Sequence, residues 1–310
     1  MTWIDRQLPE GDEVFLDHVG LFVRDLEAAR AAFARLGFAV SDVNVHMNAD
    51  AEGRLVPSGT ANALVTPALG YVEVLAKYVD SPLSAQLDAA LARYEGLHLL
   101  AFSHTDVPGQ APRLAHEGFQ PLEPVNLRRE LETANGIERV GFSVLRVPPD
   151  AMPEGRVQWC GHLTPHLVWW PHLTRHANAA EALTGALFVV ADLDEALDRY
   201  ARFTAKPVTR TGDIGHVALE RGDLVFATVD GARRLLPGLD PPDLPYGAVI
   251  SLGSADLDAA HATWHRGGVR PEAGASDLAL VGAGDACGAR LLVHGPAVTD
   301  PWERLAAIQK

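Results

Sequence analysis

Cysteine is scarce in this chain, and its sequence has neither long apolar runs nor a basic leader. Only Cys160 and Cys287 occur among 310 residues, without the paired spacing of a thiolate metal site or a disulfide framework. That usage fits a reducing compartment, so the sequence predicts a cytoplasmic location. No apolar run reaches the length of a membrane span, and the first residues lack a basic start followed by an apolar stretch, so we expect no signal peptide.

Positive charge is also in short supply. The 26 Lys and Arg residues are outnumbered by 40 Asp and Glu residues, which gives a formal net charge of −14. Such a balance repels phosphate backbones and anionic lipid headgroups, which excludes nucleic acid and membranes as principal partners. A small-molecule substrate is the expected partner. The sequence leaves the oligomeric state open, with a homodimer as one option.

The chain does contain an internal repeat. Each of four segments joins a short apolar strand to an Asp and then to an amphipathic helix, at residues 22–38, 103–119, 189–205 and 251–269. The Asp accepts backbone N–H groups that a helix start leaves unpaired. A Gly twelve residues later, absent only from the third segment, ends the helix. Candidate strands follow each helix, so the predicted repeating unit is βαβββ.

Four such units predict an α+β fold. A single unit has a sheet that one helix covers on one face only, so we expect two units to pair and close their open faces around a shared cavity. The prediction is four βαβββ modules paired into two mixed-sheet half-barrel domains, residues 1–180 and residues 181–310. The segment 169–183 is the predicted connector between the domains, and the Pro- and Gly-rich segment 238–247 separates the third and fourth modules.

The repeat architecture and several sequence blocks resemble the vicinal oxygen chelate superfamily, which includes glyoxalase I, bleomycin-resistance proteins and extradiol ring-cleaving dioxygenases. Residues 1–180 are similar to its glyoxalase-like branch. One departure concerns the His-His-Thr-Pro-Glu segment of that branch, where this chain has His166 in place of the carboxylate. The blocks that carry the resemblance are DHVGLFVRDL at 17–26, GTANALV at 59–65, GYVEVLA at 70–76, YEGLHLLAF at 94–102 and the segments 142–169 and 176–183.

The resemblance implies a divalent metal ion in the cavity between two paired modules, with ligands from the first and last strands of each module. Carried over position by position, it implies His18 and Glu73 from the first module, and His98 and His162 from the second. Imidazole and carboxylate suit Zn, Ni, Mn or Fe(II) and leave coordination positions open for substrate oxygens. His18 lies seven residues before the aspartate of its helix, whereas His98 lies eight residues before its own. For both side chains to face the cavity, either Thr105 caps the second helix in place of the aspartate or a strand contains a bulge.

Other polar residues are candidates for proton transfer and substrate binding. Glu73 or His162 is the expected catalytic proton carrier beside the metal, with His166 or His176 in that role if their segment forms a lid. The alternative is that this segment only packs its aromatic side chains over the domain junction. An inward arginine would bind a substrate carboxylate through two N–H groups. The predicted substrate-binding residues are Thr60, Asn62, Arg128 and His176.

Three functions remain open for these residues. The leading hypothesis is a metal-dependent lyase or isomerase of the glyoxalase-like class, acting on a small compound with two neighbouring oxygens. An Fe(II) extradiol-type dioxygenase is the second, because His18, His98 and Glu73 have a two-His-one-carboxylate composition. Such enzymes usually hold their metal in the C-terminal half, where the corresponding strands of this chain offer only His294. The third is a metal-free small-molecule binding protein of the bleomycin-resistance type.

Overall fold

The computed structural model describes residues 4–49, 52, 54–133 and 136–309, apart from the side chains of residues 49 and 129–133. Its elements follow the predicted order of modules. The first module contains β1 (Phe15–Phe22), α1 (Leu26–Arg35), β2 (Asn44–Ala49), β3 (Leu55–Val65) and β4 (Tyr71–Lys77), and α2 (Pro82–Arg93) follows it. The second contains β5 (Gly96–Ser103), α3 (Gln110–His116), β6 (Val125–Thr133), β7 (Gly136–Arg146) and β8 (Arg156–His162).

The second half of the chain repeats this order. The third module contains β9 (Ala180–Val189), α4 (Leu193–Thr204), β10 (Val208–Thr211), β11 (Ile214–Ala218) and β12 (Asp223–Ala227), and α5 (Val229–Leu235) follows it. The fourth contains β13 (Tyr246–Ser254), α6 (Leu257–Arg266), β14 (Ala273–Ala275), β15 (Leu278–Val281) and β16 (Arg290–His294), and α7 (Pro301–Ile308) comes last. The predicted α+β fold of βαβββ modules is therefore confirmed. Within the described ranges, every helix is too short or too polar to cross a membrane.

Modules pair through their first strands. β1 pairs in parallel with β4 and antiparallel with β5, and β9 does the same with β12 and β13. The two pairs of modules meet where β5 and β13 contact each other at Leu97 and Gly247. A buried ion pair also joins them, because Arg199 on α4 donates to both carboxylate oxygens of Glu154, in the loop before β8, at 2.5 and 2.9 Å. The domain boundary near residue 180 stays a prediction.

Three of the module helices begin at the predicted aspartates. Asp25, Asp192 and Asp256 each accept a hydrogen bond from the backbone N–H three residues later, at 2.9–3.0 Å. These caps fix the start of each helix, so that its apolar side lies against the convex face of its own sheet. Phe33 of α1 and Tyr200 of α4 are completely buried there.

Both first strands contain a β-bulge, and Thr105 does not cap the second helix: the N-cap of α3 is Gly109, and the Thr105 hydroxyl donates to Gly11 O at 2.8 Å. The register difference arises because His98, eight residues before its aspartate, corresponds to Asp17 and not to His18. One bulge lies at Asp17 in β1 and the other at His98 in β5. A bulge places two consecutive residues opposite one partner residue. This brings Asp17 and His18 onto the same concave face, which simple alternation along a strand would forbid.

Helices outside the repeat fill much of each concave face. In the first pair of modules, Leu87 and Leu91 of α2 pack against Phe22, Leu75 and Leu99 of the sheet. In the second pair, α5 and α7 pack on the corresponding face with a larger apolar cluster. The connecting helices therefore decide where room for a ligand remains, and the repeat alone does not.

Candidate functional site

A buried aspartate joins two histidines on the concave face of the first pair of modules. Asp17 Oδ2 lies 2.7 Å from His18 Nδ1, and Asp17 Oδ1 lies 2.8 Å from His162 Nε2. All three side chains are almost completely buried. β1 supplies Asp17 and His18 through its bulge, and β8 supplies His162 as its last residue.

The charge of Asp17 fixes the tautomers of both histidines. Burial alone would raise the pKa of Asp17, but the charge and hydrogen bond of His162, together with the hydrogen bond of His18, hold it well below its ordinary value. An ionised carboxylate only accepts hydrogen bonds, so His18 Nδ1 and His162 Nε2 carry the hydrogens. In the neutral rings the remaining nitrogens, His18 Nε2 and His162 Nδ1, present lone pairs.

Glu73 on β4 faces His18 on the same concave surface. Glu73 Oε2 lies 4.0 Å from His18 Nε2, and Glu73 Oε1 lies 4.0 Å from Nε2 of His46 on β2. Asn62 donates from Nδ2 to Glu73 Oε1 at 2.5 Å, and Thr60 Oγ1 lies 2.9 Å from His46 Nδ1. The first module thus directs two imidazoles and a carboxylate toward one another. Thr60 and Asn62, predicted to bind substrate, orient these groups from buried positions.

The structure does not bring His98 to this group. Ala101 is the β5 residue opposite His18, and His98 lies three residues further along the strand, roughly 10 Å away. His98 Nε2 donates to Tyr94 O at 2.8 Å, and the two rings stack with centroids 3.9 Å apart. The predicted set of four ligands is therefore divided, because the bulge in β5 directs His98 toward the end of α2.

The segment after β8 packs against the site through Trp169. The Trp169 ring is buried, with its centroid 4.7 Å from that of His162. His166, a predicted proton carrier, is exposed to solvent. His176 Nδ1 accepts a hydrogen bond from Ala39 N at 3.0 Å, and burial lowers the pKa of His176 to about 4. The segment covers His162, but neither His166 nor His176 contacts Asp17, His18 or His162.

Arg128, predicted to bind substrate, is exposed on β6 and does not reach the concave face. Two arginines that sequence reasoning did not single out lie there instead. Arg146 is the last residue of β7 and Arg156 the first of β8, and both line a cavity beside α2. Alternation along β8 puts Arg156 on the same face as His162, and that pattern was the available signal.

Three further residues of this face, Asp17, Cys160 and His46, were not predicted. Asp17 and Cys160, together with the predicted His162, each offer a ligand atom, and these atoms lie within 4.8 Å of one another, so the group could hold a metal ion. Burial, with the charges of Asp17 and Glu73, raises the pKa of the Cys160 thiol well above its ordinary value. His46 was missed because it lies on β2, whereas the resemblance implied ligands only from the first and last strands of each module.

The donors on this face fit a divalent metal ion. A metal-binding histidine usually donates its second ring N–H to a carboxylate, which fixes the ring. His18 has this arrangement with Asp17, and its remaining nitrogen faces Glu73. Nitrogen and carboxylate donors suit the ions Zn, Ni, Mn and Fe(II). Two donor groups share the face: His18, His46 and Glu73 form one, and Asp17, Cys160 and His162 form the other.

Comparison with known proteins gives the following likenesses. A family model described as glyoxalase-like domain matches residues 16–204, more than half of the chain. None of the curated proteins compared with the chain matches it. A solved structure of a hypothetical protein from Staphylococcus aureus is 9% identical with a TM-score of 0.63, over 91% of this chain and 99% of that chain.

Two further solved structures are similar over nearly all of this chain. A mutant of 4-hydroxymandelate synthase from Streptomyces coelicolor is 10% identical with a TM-score of 0.60, over 96% of this chain and 97% of that one. A xylose isomerase-like TIM barrel/4-hydroxyphenylpyruvate dioxygenase fusion protein is 11% identical with a TM-score of 0.60, over 98% of this chain and 53% of the fusion. At such identities the likeness concerns the fold alone.

Proposed function

This chain belongs to the glyoxalase-like domain family of the vicinal oxygen chelate superfamily, and we propose that it is a metal-dependent lyase or isomerase acting on a small vicinal-oxygen compound. One observation carries the proposal. His18 is held through Nδ1 by the buried Asp17, while its Nε2 faces Glu73 at 4.0 Å. That arrangement is the one expected of a metal-binding histidine with an orienting carboxylate behind it.

In this proposal His18, His46 and Glu73 hold the ion, and Asp17 orients His18. His46 takes the role that was predicted for His98. Both oxygens of Asp17 already accept hydrogen bonds from histidines, which argues against Asp17 as a ligand. A divalent ion held there would polarise the substrate oxygens as a Lewis acid. Asn62 holds Glu73 Oε1 and leaves Oε2 directed at His18.

His162 is the proton carrier that this geometry favours. Its Nε2–H donates to Asp17, and its buried Nδ1 makes no hydrogen bond with the described residues. A proton taken up by Nδ1 would leave an imidazolium that the Asp17 carboxylate stabilises. Trp169 packs over His162 and keeps water from it. We expect His162→Gln to lower kcat by about a hundredfold or more while metal affinity is retained.

Metal titration tests the proposal. Protein freed of metal should bind about one divalent ion per chain, measured by calorimetry and elemental analysis. Glu73→Gln should weaken metal binding by at least about tenfold, because the glutamine amide has the shape of the carboxylate but not its negative charge. Glu27→Gln, the same change at an exposed carboxylate on α1, is the matched control. If wild-type protein binds none of Zn, Ni, Mn and Fe(II), a metal-free binding protein becomes the better hypothesis.

An Fe(II) dioxygenase is the second candidate, and one observation favours it. His18, His46 and Glu73 have the two-His-one-carboxylate composition of oxygenases with Fe(II). The names of two structural neighbours, 4-hydroxymandelate synthase and a 4-hydroxyphenylpyruvate dioxygenase fusion, agree with such chemistry. Oxygen uptake by the Fe(II)-loaded protein with catechols would support it. Deuterium exchange into a small hydroxyketone under nitrogen would support the lyase or isomerase instead.

A cytoplasmic location, a small-molecule substrate as partner and a boundary between domains near residue 180 belong to the same proposal. The scarcity of cysteine and the net charge of −14 support the first two. Limited proteolysis would test the boundary, since cleavage of the segment 169–183 should release two stable fragments. Sedimentation would decide whether the chain is a homodimer.

A further inference from the structure

The cavity beside α2 lies at the far end of the concave face from His162. Its volume is about 330 Å³, and it is bounded by α2, β5, the end of β7, the start of β8 and the loop between β7 and β8. The charged or titratable residues that line it are Arg93, Arg146, Arg156 and His98, and no carboxylate is among them. In a chain with a net charge of −14, a cavity of this composition points to an anionic ligand.

Arg156 lacks an anionic partner. Among the described residues its guanidinium makes no hydrogen bond and no ion pair, its Nη2 is buried without a partner, and the ring of Phe22 lies 5.5 Å away. Burial lowers the pKa of Arg156 to about 10, so the group stays charged at neutral pH. A buried charge without compensation is costly, and proteins retain one where a ligand supplies the opposite charge.

Arg146 adds a second cation that is only partly compensated. Its Nε donates to Gln158 Oε1 at 3.0 Å, and no carboxylate of the described residues lies within ion-pair distance. The charge of Glu73 acts on both Arg146 and Arg156, but Glu73 forms an ion pair with neither. Arg93 differs from both, because Asp243 pairs with it at 2.5 Å. Two guanidiniums are therefore available to an incoming anion.

We propose that this cavity binds the carboxylate or phosphate group of a small ligand, held by Arg146 and Arg156. Guanidinium groups bind either anion through paired N–H donors, which gives direction as well as charge. The cavity adjoins the proposed metal centre, because Arg156 lies in the same row of the concave face as Glu73, with Gly20 and Leu99 between them. The inference rests on the two arginines alone and is tested without metal, so its outcome does not depend on the proposed function.

Anion binding by the intact, metal-free chain tests the inference. Inorganic phosphate and malonate are titrated by calorimetry at a constant ionic strength set with chloride. We expect at least one of them to bind saturably, and the one that binds more tightly identifies the head group. Arg156→Met and Arg146→Met should each weaken binding by about tenfold or more, because each removes a charge-assisted hydrogen-bond donor. Arg128→Met, at the exposed arginine on β6, should leave the affinity unchanged.

Further variants separate loss of the site from loss of folding. Arg156→Lys keeps the charge and loses the paired donors, so its affinity should fall between those of wild type and Arg156→Met. If Arg156→Met does not fold, the Arg146→Met and Arg156→Lys results decide. Failure of both phosphate and malonate to bind wild-type protein would overturn the inference. Equal affinities of wild type and the Arg146 and Arg156 variants would overturn it as well.

Discussion

The first strands of the first and third modules, β1 and β9, correspond to each other, and two adjacent positions show how their chemistry differs. Counted back from the aspartate that caps the following helix, Thr184 takes the place of Asp17 and Gly185 the place of His18. Thr184 Oγ1 lies 2.9 Å from Nε2 of the buried His294 on β16. The second pair of modules thus keeps a polar contact between its first and last strands but has lost the carboxylate and the imidazole. Neutral hydroxyls do not compensate a cation as a carboxylate does.

The space in front of these strands differs as well. A Cβ atom added at Gly185 would lie 3.2 Å from the indole of Trp302 on α7. Trp302 is buried in the apolar cluster that α5 and α7 form with the second concave face. In the first pair of modules α2 covers only part of that face and leaves the cavity lined by Arg156. The same scaffold thus holds a candidate site in one half and a closed apolar core in the other.

Removing one histidine from each half gives the largest expected contrast. We expect His18→Ala to abolish measurable binding of divalent ions, because it removes a donor from the proposed centre. His294→Ala should leave metal affinity unchanged, since its Nε2 lies beside the Thr184 hydroxyl and its Nδ1 beside the Gly295 carbonyl oxygen, in the other half of the molecule from the proposed centre. Calorimetric titration with Zn and Mn measures both. If His18→Ala still binds the ions, the group of Asp17, Cys160 and His162 becomes the better candidate for the metal site.

Much of the scaffold could be predicted because its signals are local. Asp25 and Asp256 cap helices as their sequence spacing indicated, and both contacts span three residues. Alternation along β4 places Glu73 and Tyr71 on one face, and both side chains lie beside His18 in the structure. Short-range preferences of this kind depend on a few neighbouring residues.

The composition of the site could be predicted only in part, because it depends on long-range packing. The bulge at Asp17 reverses the alternation rule for the one residue that orients both His18 and His162. The same deviation in β5 separates His98 from the group. Coverage of the sheets by α2, α5 and α7 follows from packing between distant segments, which no periodic pattern along the chain encodes.

Truncation of Trp302, which packs over Gly185 in the second half, should have the next largest effect. Trp302→Ala should reduce the free energy of unfolding by about 3–5 kcal/mol, because it leaves a cavity in a closed apolar core. Urea denaturation measures the loss. Indole added to the variant should recover part of it by filling the cavity. Metal affinity of the folded variant should stay at the wild-type value, and a parallel loss would indicate that the two halves are coupled.

Acid should destabilise the first half through His98. Burial lowers its pKa in the folded chain to about 4, below the ordinary value near 6.5, so the unfolded chain binds a proton first as the pH falls. Stability should therefore decrease from about pH 6.5 to about pH 4, by on the order of 3 kcal/mol for this residue. His98→Gln keeps a donor for Tyr94 O without titrating. Urea midpoints of both proteins across this range measure the difference, and parallel curves would contradict the prediction.

His216 in the second half should show a smaller effect of opposite sign. Its Nδ1 lies 2.9 Å from Asp223 Oδ2, and this hydrogen bond raises the pKa of His216 in the folded chain. The contribution to stability is then fully present below the ordinary pKa and is lost as the pH rises through the folded value. Both side chains are partly exposed, so we expect less than about 1 kcal/mol. His216→Gln should differ from wild type at about pH 5 and converge with it at about pH 9. A difference that grows with pH would mean that His216 is neutral when it pairs with Asp223.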